Sequence, residues 1–309
     1  MFNKLFFATL ICSLFAFSSC ERYDDSFQSR NVCCRTPKGN ILLFTTTSPS
    51  TCDIVGFETP ANIMEDLTLP SEIYFENCTY AVNRIAPYAF WFNNCLHSVV
   101  VSEGITAVGR EAFRRCDSLE TVVLSDGVKS LGLNCFMDSR KLATINLPSS
   151  ITTIDNMSFV GCTSLKNVRF EASVDTLHFA VFQDCDSLRD IHLPEGIRIV
   201  EGQVFAYSGL RELILPEGVT TVHTDIVNHC EDLKHISFPS TVKSLELQHL
   251  DCDSLEYFDV KALTPPYLYL YFFCLNEDMK VRVPAESLEA YRKAEVWRSL
   301  NIEALPKEM

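Results

Sequence analysis

A unit of about 23 residues is written eight times between residues 85 and 263, and this repetition constrains the fold more than any other feature. Phenylalanine marks six units at intervals of 23, and aliphatic residues mark the last two: Phe90, Phe113, Phe136, Phe159, Phe182, Phe205, Val227 and Leu250. A leucine follows each marker by five or six residues. Two apolar pairs, such as Val122/Leu124 and Val128/Leu131, complete each unit. A fixed period of about 20 to 50 residues is typical of a solenoid.

Each repeat predicts a short strand followed by a turn. One repeat cannot bury its own apolar residues, whereas stacked copies bury a continuous core. The first apolar pair encloses a β-branched residue, as in Val122-Val123-Leu124, which favours a strand. Stacking would join these strands into a parallel sheet along the solenoid. The Pro-Glu-Gly segments at 194–196 and 216–218 predict turns that end the strands, because glycine allows a tight bend.

The repeat text is specific. The segments CDSLETVVLSDGVKSLGLNCF, starting at Cys116, and CDSLRDIHLPEGIRIVEGQVF, starting at Cys185, resemble the BspA-like type of leucine-rich repeat found in bacterial surface proteins. The resemblance extends from Asp66 to the C-terminus. It departs from the pattern at Val227 and Leu250, which replace the marker phenylalanine, and at Ser139 and Ser208, where cysteine is usual.

This resemblance implies an α/β repeat solenoid dominated by β-structure, right-handed, with an N-terminal β cap and a C-terminal cap of strands and helix. It also implies a non-catalytic cell-surface protein that adheres to extracellular proteins, such as host matrix proteins, or to other cells. The alternative is an envelope accessory lipoprotein that binds polysaccharide or another glycan. An enzyme is the third and weakest hypothesis.

Residues 1–19 predict an export signal. Lys4 supplies the positive start, and the apolar run from Leu5 to Phe17 is too short to span a membrane. Ser18-Ser19-Cys20 resembles a bacterial lipobox, which implies acylation of Cys20 and lipid anchoring to the outer membrane with exposure at the cell surface. A plain secretory signal with an incidental cysteine is the alternative. The acidic residues that follow resemble a surface-export tag, or they form only a solvated tether: Glu21, Asp24 and Asp25.

The remaining segments flank the repeats. Residues 20–40 are polar and without periodicity, so they predict a flexible tether. Residues 41–84 predict the N-terminal β cap, and residues 264–309 the C-terminal cap, since the open ends of a solenoid must be covered. In the C-terminal cap, YLYLYFF and MKVRVP predict strands. Pro284 predicts the start of a helix whose apolar face has a spacing of three: Leu288, Tyr291, Ala294, Trp297 and Leu300.

The cysteines and histidines form no recognisable chemical motif. Five cysteines precede the repeat leucines by three residues and predict a buried column of thiols: Cys116, Cys162, Cys185, Cys230 and Cys252. Cys33, Cys34, Cys52 and Cys78 lie outside this column, where disulfides are open possibilities with no pairing indicated. Without paired C-x-x-C or H-E-x-x-H spacings, we expect no metal, no cofactor and no catalytic residue. A formal charge of −14 argues against a nucleic-acid partner.

Strand residues predicted to point outward define the candidate binding face. Four consecutive repeats place a basic residue in one column, which would form a stripe about 14 Å long at the usual strand spacing. The candidate face consists of this stripe and its neighbours: Lys166, Arg189, Arg211 and Lys234, with Arg169, His192, His235 and Tyr257. The alternative is a solvated face on which Asp190 and Glu212 neutralise the stripe. Glycan binding would favour exposed aromatic side chains, and the outward columns contain only Tyr257.

Overall fold

A computed structural model of the chain describes residues 31–58, 64–223, 225–247, 250–270 and 279–306. The predicted export signal and Cys20 therefore lie outside the described residues. The strands are, in chain order, β1 (Asn31–Arg35), β2 (Ile41–Ser48), β3 (Thr51–Phe57), β4 (Glu65–Leu69), β5 (Glu72–Phe75), β6 (Cys78–Ile85), β7 (Leu96–Val101), β8 (Ala107–Val108), β9 (Thr121–Leu124), β10 (Ser130–Leu131), β11 (Thr144–Leu147), β12 (Thr153–Ile154), β13 (Asn167–Phe170), β14 (Thr176–Leu177), β15 (Ile199–Val200), β16 (Glu212–Ile214), β17 (Thr221–Val222), β18 (His235–Phe238), β19 (Ser244–Leu247), β20 (Tyr257–Val260), β21 (Tyr267–Leu270), β22 (Lys280–Val283) and β23 (Ile302–Ala304). One α-helix, α1 (Leu288–Lys293), lies between two 3-10 turns, Ala285–Ser287 and Trp297–Ser299.

The strands form a β-dominated solenoid, as the repeat predicts. The strands that contain the first apolar pair form a major sheet in two blocks. The first block has the strand order β4-β7-β9-β11-β13, and the second has the order β16-β18-β20-β22-β23. The second apolar pair builds a minor sheet, also in two blocks, which are β1-β2-β3-β6-β8-β10-β12 with β5 on β6, and β14-β15-β17-β19-β21. Equivalent residues of successive repeats lie side by side, as Ser98, Thr121, Thr144 and Asn167 do. The predicted strand register is therefore confirmed.

The core consists of stacked marker residues. The rings from Phe90 to Phe205 stack nearly parallel, with centroid distances between neighbours from 5.1 to 5.8 Å. Val227 and Leu250 continue the column and are buried as well. All five cysteines of the predicted column are also buried, which confirms that they act as small core residues.

A third ladder of hydrogen bonds runs through the marker segments on the side away from the strands. The residues two before and two after each marker from Phe90 to Val227 have a positive φ, as Asn134 (57°) and Asp138 (59°) do around Phe136. This alternation directs backbone N–H groups at the next repeat, so that the amide of Phe136 donates to the carbonyl of Ser158 over 2.9 Å. We call these five-residue stretches, which run from two residues before the marker to two residues after it, the turn side of the solenoid. The spacing of apolar residues along the sequence does not predict this conformation.

Within the described residues each sheet is interrupted once, and the two interruptions lie about one repeat apart. The major sheet has no strand between β13 and β16, and the minor sheet is broken between β12 and β14. Within the described residues, the backbone of Asp190, Ile191, His192 and Leu193 makes no hydrogen bond to another backbone group. Asp190 takes the position that threonine and asparagine occupy in earlier repeats, and aspartate is depleted in strands. The phenylalanine stack and the turn-side ladder cross this level without a break.

The two ends differ in part from the sequence prediction. The flexible tether predicted for residues 20–40 is wrong for residues 31–40, because β1 pairs antiparallel with β2 along its whole length. The major sheet also begins earlier than the first predicted repeat, since β4 pairs in parallel with β7. The physical reason is that both segments have residues that are buried or paired in the structure, such as Val32 and Leu67. The hydropathy of segments this short does not distinguish a strand from a loop.

In the C-terminal segment, the strands predicted around Tyr267 and Lys280 are present as β21 and β22. The predicted single helix is wrong in length, because Ala294 adopts an extended conformation and divides it. Tyr291 and Trp297 still pack edge to face at 4.9 Å. Each is anchored on the preceding repeat, through hydrogen bonds from Tyr291 Oη to the Ala262 carbonyl and from Trp297 Nε1 to the Pro266 carbonyl.

Candidate functional site

The outer face of the major sheet presents most of the residues predicted for it. Lys166, Arg169, Arg189, His192, Arg211 and Lys234 are all exposed. The strands hold them there because alternate residues of each strand, such as Val168 in β13 and Leu213 in β16, point into the solenoid. Parallel pairing in register then brings equivalent residues of neighbouring repeats into rows across this face.

A depression of about 480 Å³ lies on this face at the level where the sheet is interrupted. It is lined by three or four positions from each of four successive repeats: Thr121–Val123, Thr144–Asn146, Lys166–Arg169 and Asp190–His192. Three residues of the predicted face therefore meet in one concave surface, namely Lys166, Arg169 and His192. We call this surface the sheet groove.

On one side of the groove, the backbone pairing between β9 and β11 ends before Asn146. Its side-chain amide donates to the carbonyl of Leu124 over 2.7 Å and accepts a hydrogen bond from the Leu124 amide, also at 2.7 Å. Backbone pairing between β9 and β11 is limited to Thr144 with Thr121 and Ile145 with Val122. A side chain thus replaces main-chain pairing where the two strands end.

The predicted basic stripe is not a continuous row of free charges. Arg189 forms an ion pair with Asp232, and the ammonium of Lys234 lies 3.6 Å from Glu256. Arg169 pairs with Glu171 at 2.8 Å, although both side chains are largely exposed. Within the described part of the chain, no acidic group lies within 4 Å of the cationic groups of Lys166 or Arg211. The acids that pair with the stripe are Asp232 and Glu256, and not Asp190 and Glu212 as in the alternative interpretation.

The other two predicted residues belong to a separate polar network at the C-terminal end of the face. His235 hydrogen-bonds Glu212 through Nδ1 at 2.6 Å and Asp259 through Nε2 at 3.0 Å. The guanidinium of Arg282 donates to both oxygens of Asp259, at 2.6 and 2.8 Å. Tyr257 lies between them, with its ring 4.6 Å from the His235 ring and 3.6 Å from the Arg282 guanidinium carbon.

The pKa values in this network favour its charged state. Burial alone would lower the pKa of His235, but hydrogen bonds to Asp259 and Glu212 outweigh burial and raise it. Burial alone would raise the pKa of Asp259, but hydrogen bonds from His235 and Arg282 hold it below its ordinary value of 3.8. The network is therefore an internal ion cluster and does not offer free charges to a ligand.

The sequence prediction is wrong at one end of the outward columns. The alternation of side chains along β18 and β20 predicts that Ser237 and Asp259 face solvent, and both are buried. Arg282 and His235 hydrogen-bond the carboxylate of Asp259, and the Arg282 guanidinium lies over the Tyr257 ring. A repeat region that ends at residue 263 does not include Arg282. Arg282 follows Asp259 by 23 residues and lies directly opposite it on β22, so one more period would have found it.

Three cysteines of the buried column are held as unreactive thiols. Burial raises the pKa of the Cys116, Cys162 and Cys185 thiols well above the ordinary value of 9.0, so they remain neutral. Cys52 is buried in β3 and Cys78 is exposed at the start of β6, and each is a free thiol. In the part of the chain that the structure describes, no cluster of three or more histidine, cysteine or acidic side chains is arranged to hold a metal ion.

None of the helices within the described ranges combines the length and the apolar character needed to cross a membrane.

Solved structures with a similar fold are leucine-rich repeat proteins. A leucine-rich cell surface protein from Faecalibacterium prausnitzii is 19% identical, with a TM-score of 0.60 over 89% of this chain and 95% of that chain. A leucine-rich repeat protein from Bacteroides ovatus is 18% identical, with a TM-score of 0.48 over 81% of this chain and 78% of its own. The pneumococcal vaccine antigen PcpA is 16% identical, with a TM-score of 0.36 over 90% and 99%. Only the first score exceeds 0.5, and at this identity it supports the fold alone.

Comparison with curated proteins finds no match. The BspA type leucine-rich repeat region matches in six copies, over residues 83–211 and 175–279. These ranges cover more than half of the chain and coincide with the stacked repeats between β6 and β21. The chain therefore belongs to the family of BspA type leucine-rich repeat proteins.

Proposed function

We propose that this protein is a non-catalytic cell-surface adhesion module that binds an acidic segment of an extracellular protein in the sheet groove. The leucine-rich repeat scaffold suits such a role, because stacked repeats present extended surfaces to protein partners. The observation that carries the proposal is the position of Lys166 and Arg169 in the groove. Lys166 has no acidic partner among the described residues, and Arg169 pairs only with the exposed Glu171. On a chain of net charge −14, these two exposed cations favour a partner of opposite charge at this point.

The groove lining favours a peptide over a sugar. It contains hydroxyl, amide, imidazole and cationic side chains and one carboxylate, that of Asp190, over a floor that includes Ile145 and Ile191, and none of its lining residues is an aromatic of the phenyl or indole type. Such a surface can hydrogen-bond an extended chain while a carboxylate meets Lys166 and Arg169. Arg211, exposed and outside the groove, would extend the contact toward the C-terminal end of the face.

The proposal predicts a charge-dependent interaction. Purified residues 21–309 should bind at least one member of a panel of extracellular-matrix proteins. Lys166→Glu with Arg169→Glu should weaken that binding about tenfold or more, which is about 1.4 kcal/mol. Raising the salt concentration should weaken it too, since the Debye length falls from about 10 Å at 0.1 M to about 3 Å at 1 M. Surface plasmon resonance at several salt concentrations measures both effects.

The matched control is Lys129→Glu with Lys243→Glu. Both lysines are exposed beside minor-sheet strands, so the change in net charge is the same and only its position differs. The free energy of unfolding of both double variants should lie within about 0.5 kcal/mol of the parent value, as is usual for surface substitutions. Equal losses of binding in the two variants would show that total charge, and not the groove, governs association.

We also propose that the mature protein is held at the outer membrane by a lipid on Cys20, with the solenoid exposed to the outside. The proposal rests on the Ser18-Ser19-Cys20 junction after an apolar run. Cys20→Ala should abolish incorporation of labelled palmitate and release the protein from the membrane fraction or leave it uncleaved. Equal labelling of the two forms would refute lipidation. Protease treatment of intact cells distinguishes surface exposure from a periplasmic location.

A further inference from the structure

The strand β13 has a free edge at the sheet groove. Its pairing with β11 uses alternate residues, so that the amide of Glu171, just beyond the strand, donates to the carbonyl of Leu147 over 2.8 Å. Alternate residues of a parallel strand direct their N–H and C=O groups to opposite sides. The groups of Val168 and Phe170 therefore point toward the next repeat. Among the described residues, no backbone or side-chain group hydrogen-bonds them there.

Earlier repeats do not leave these groups unpaired. The residue of β9 equivalent to Phe170 is Leu124, and its amide and carbonyl are both held by the Asn146 side chain of the next repeat. The residue equivalent to Asn146 beside β13 is His192, which makes no such bond. The whole segment Asp190–Leu193 is likewise without backbone partners in the described part of the chain. A row of unpaired N–H and C=O groups on a strand edge is a template for a further strand.

The apolar residues at this opening are less covered than their equivalents. The first apolar residue of the pair is fully buried in the flanking repeats, as Ile145 and Leu213 are. Val168 and Ile191, in the same position, are only partly buried, and so is Leu193. Elsewhere in the sheet a neighbouring strand covers these positions. The opening therefore lacks both the hydrogen bonds and the apolar contacts that one more strand would supply.

The outer face of the same opening has an excess of positive charge on the β13 side. Lys166 has no acidic group within 4 Å among the described residues, and Arg169 pairs with the exposed Glu171. Asp190 is the one carboxylate in the groove lining, and it belongs to the opposite wall. An acidic side chain that lies over β13 thus meets Lys166 and is kept away from Asp190.

We infer that the ligand of the sheet groove is an extended polypeptide segment with alternating acidic and apolar residues, which pairs its backbone with the free edge of β13. This inference rests on the proposed function and adds how the partner is held. The apolar side chains would cover Val168 and Ile191, while the carboxylates on the other face of the bound strand would meet Lys166. In such strand addition, backbone hydrogen bonds provide affinity and alternate side chains provide specificity. A polysaccharide has no row of N–H and C=O groups at strand spacing.

Capped synthetic hexapeptides test the inference by isothermal titration calorimetry with purified residues 21–309. The probe has the sequence Glu-Val-Glu-Val-Glu-Val. Two comparison peptides are N-methylated, one at the valines and one at the glutamates, which removes N–H donors and keeps the charge. A third, Glu-Glu-Glu-Val-Val-Val, keeps the composition and removes the alternation. The probe should bind. The third peptide and at least one methylated peptide should bind at least tenfold more weakly, whereas attraction by charge alone would leave all affinities equal.

Amide hydrogen exchange followed by NMR provides a second readout. In the free protein, the amides of Val168 and Phe170 should exchange faster than that of Glu171, which already donates to a carbonyl. Addition of the probe peptide should slow exchange at Val168, Phe170 or both at least tenfold and leave Glu171 nearly unchanged. Lys166→Glu with Arg169→Glu should abolish these effects, and Lys129→Glu with Lys243→Glu should not.

Three results would overturn the inference. The first is no binding of the probe at about 1 mM, which is about −4 kcal/mol or weaker. The second is equal affinity for the probe and either the third peptide or both methylated peptides. The third is bound probe without slower exchange at Val168 and Phe170. In each case the proposed function still stands if a matrix protein binds and Lys166→Glu with Arg169→Glu weakens that binding. It fails separately if no matrix protein binds the parent.

Discussion

Phe159→Ala is expected to lower the free energy of unfolding by about 3–5 kcal/mol, as large-to-small substitutions in a packed core do. The Phe159 ring is fully buried and stacks between Phe136 and Phe182, at 5.4 Å from each. The loss should be felt strongly because Phe159 lies between the two sheet interruptions, with the minor sheet broken on the Phe136 side and the major sheet on the Phe182 side. At each interruption, contact between neighbouring repeats depends on the other sheet, the phenylalanine stack and the turn-side ladder.

Thermal and urea unfolding followed by circular dichroism measure this effect. Because each repeat contacts only its neighbours, the variant should also lose its single sharp transition as the two halves melt separately. Tyr207→Ala serves as the control, since this side chain lies on the turn side and is 46% exposed. Its cost should stay within about 0.5 to 1 kcal/mol. Similar melting of the two variants would mean that Phe159 is not part of a continuous core.

Asp259→Ala is expected to cost about 3 kcal/mol at neutral pH, because it leaves Arg282 and His235 without their shared carboxylate in a poorly solvated position. The side chains of Asp259 and Arg282 are only 8% and 16% exposed. The folded-state pKa of Asp259 lies below its ordinary value of 3.8. Its contribution is therefore complete above that value and is lost as the pH falls through the lower folded-state pKa. Chemical unfolding at pH 7 and at pH 3 measures both parts.

The matched control is Asp253→Ala, which removes an exposed aspartate six residues earlier and should be nearly neutral. Asp259→Ala combined with Arg282→Met should be less destabilised than the sum of the single changes, because the second substitution removes the uncompensated charge. Additive losses would show that the two side chains do not act as a pair.

Several parts of the fold follow from the sequence alone. The 23-residue period places Phe90 and its successors in one column, and stacking in register is the arrangement that buries all of them together. The cysteine column is readable for the same reason, since Cys116 and Cys162 recur at a fixed distance from the core leucines. Outward positions such as Lys166 and Arg169 follow from the alternation of side chains along a strand.

Errors arise where the period is broken or ends. Residues 31–35 pair as β1 although they lie within a stretch that lacks apolar periodicity, because pairing with β2 satisfies their backbone groups. The network around Asp259 extends beyond the last obvious repeat and depends on Arg282, whose strand is reached only after a segment without repeat text. A strand of few residues has too little apolar periodicity to be predicted from its own sequence. The strand with which it pairs depends on contacts that are distant in sequence.

The sequence by itself determined the solenoid, its register and most of the side chains that reach the outer face, because stacking in register is the arrangement that buries a repeated apolar pattern. Only the tertiary structure decided which of those side chains act together. The groove exists because Asn146 replaces main-chain pairing and Asp190–Leu193 does not join the sheet. Arg189 and Lys234 are neutralised by acids of neighbouring repeats. Ion pairs, interrupted strands and left-handed turns depend on distances between repeats, which spacing within one repeat does not encode.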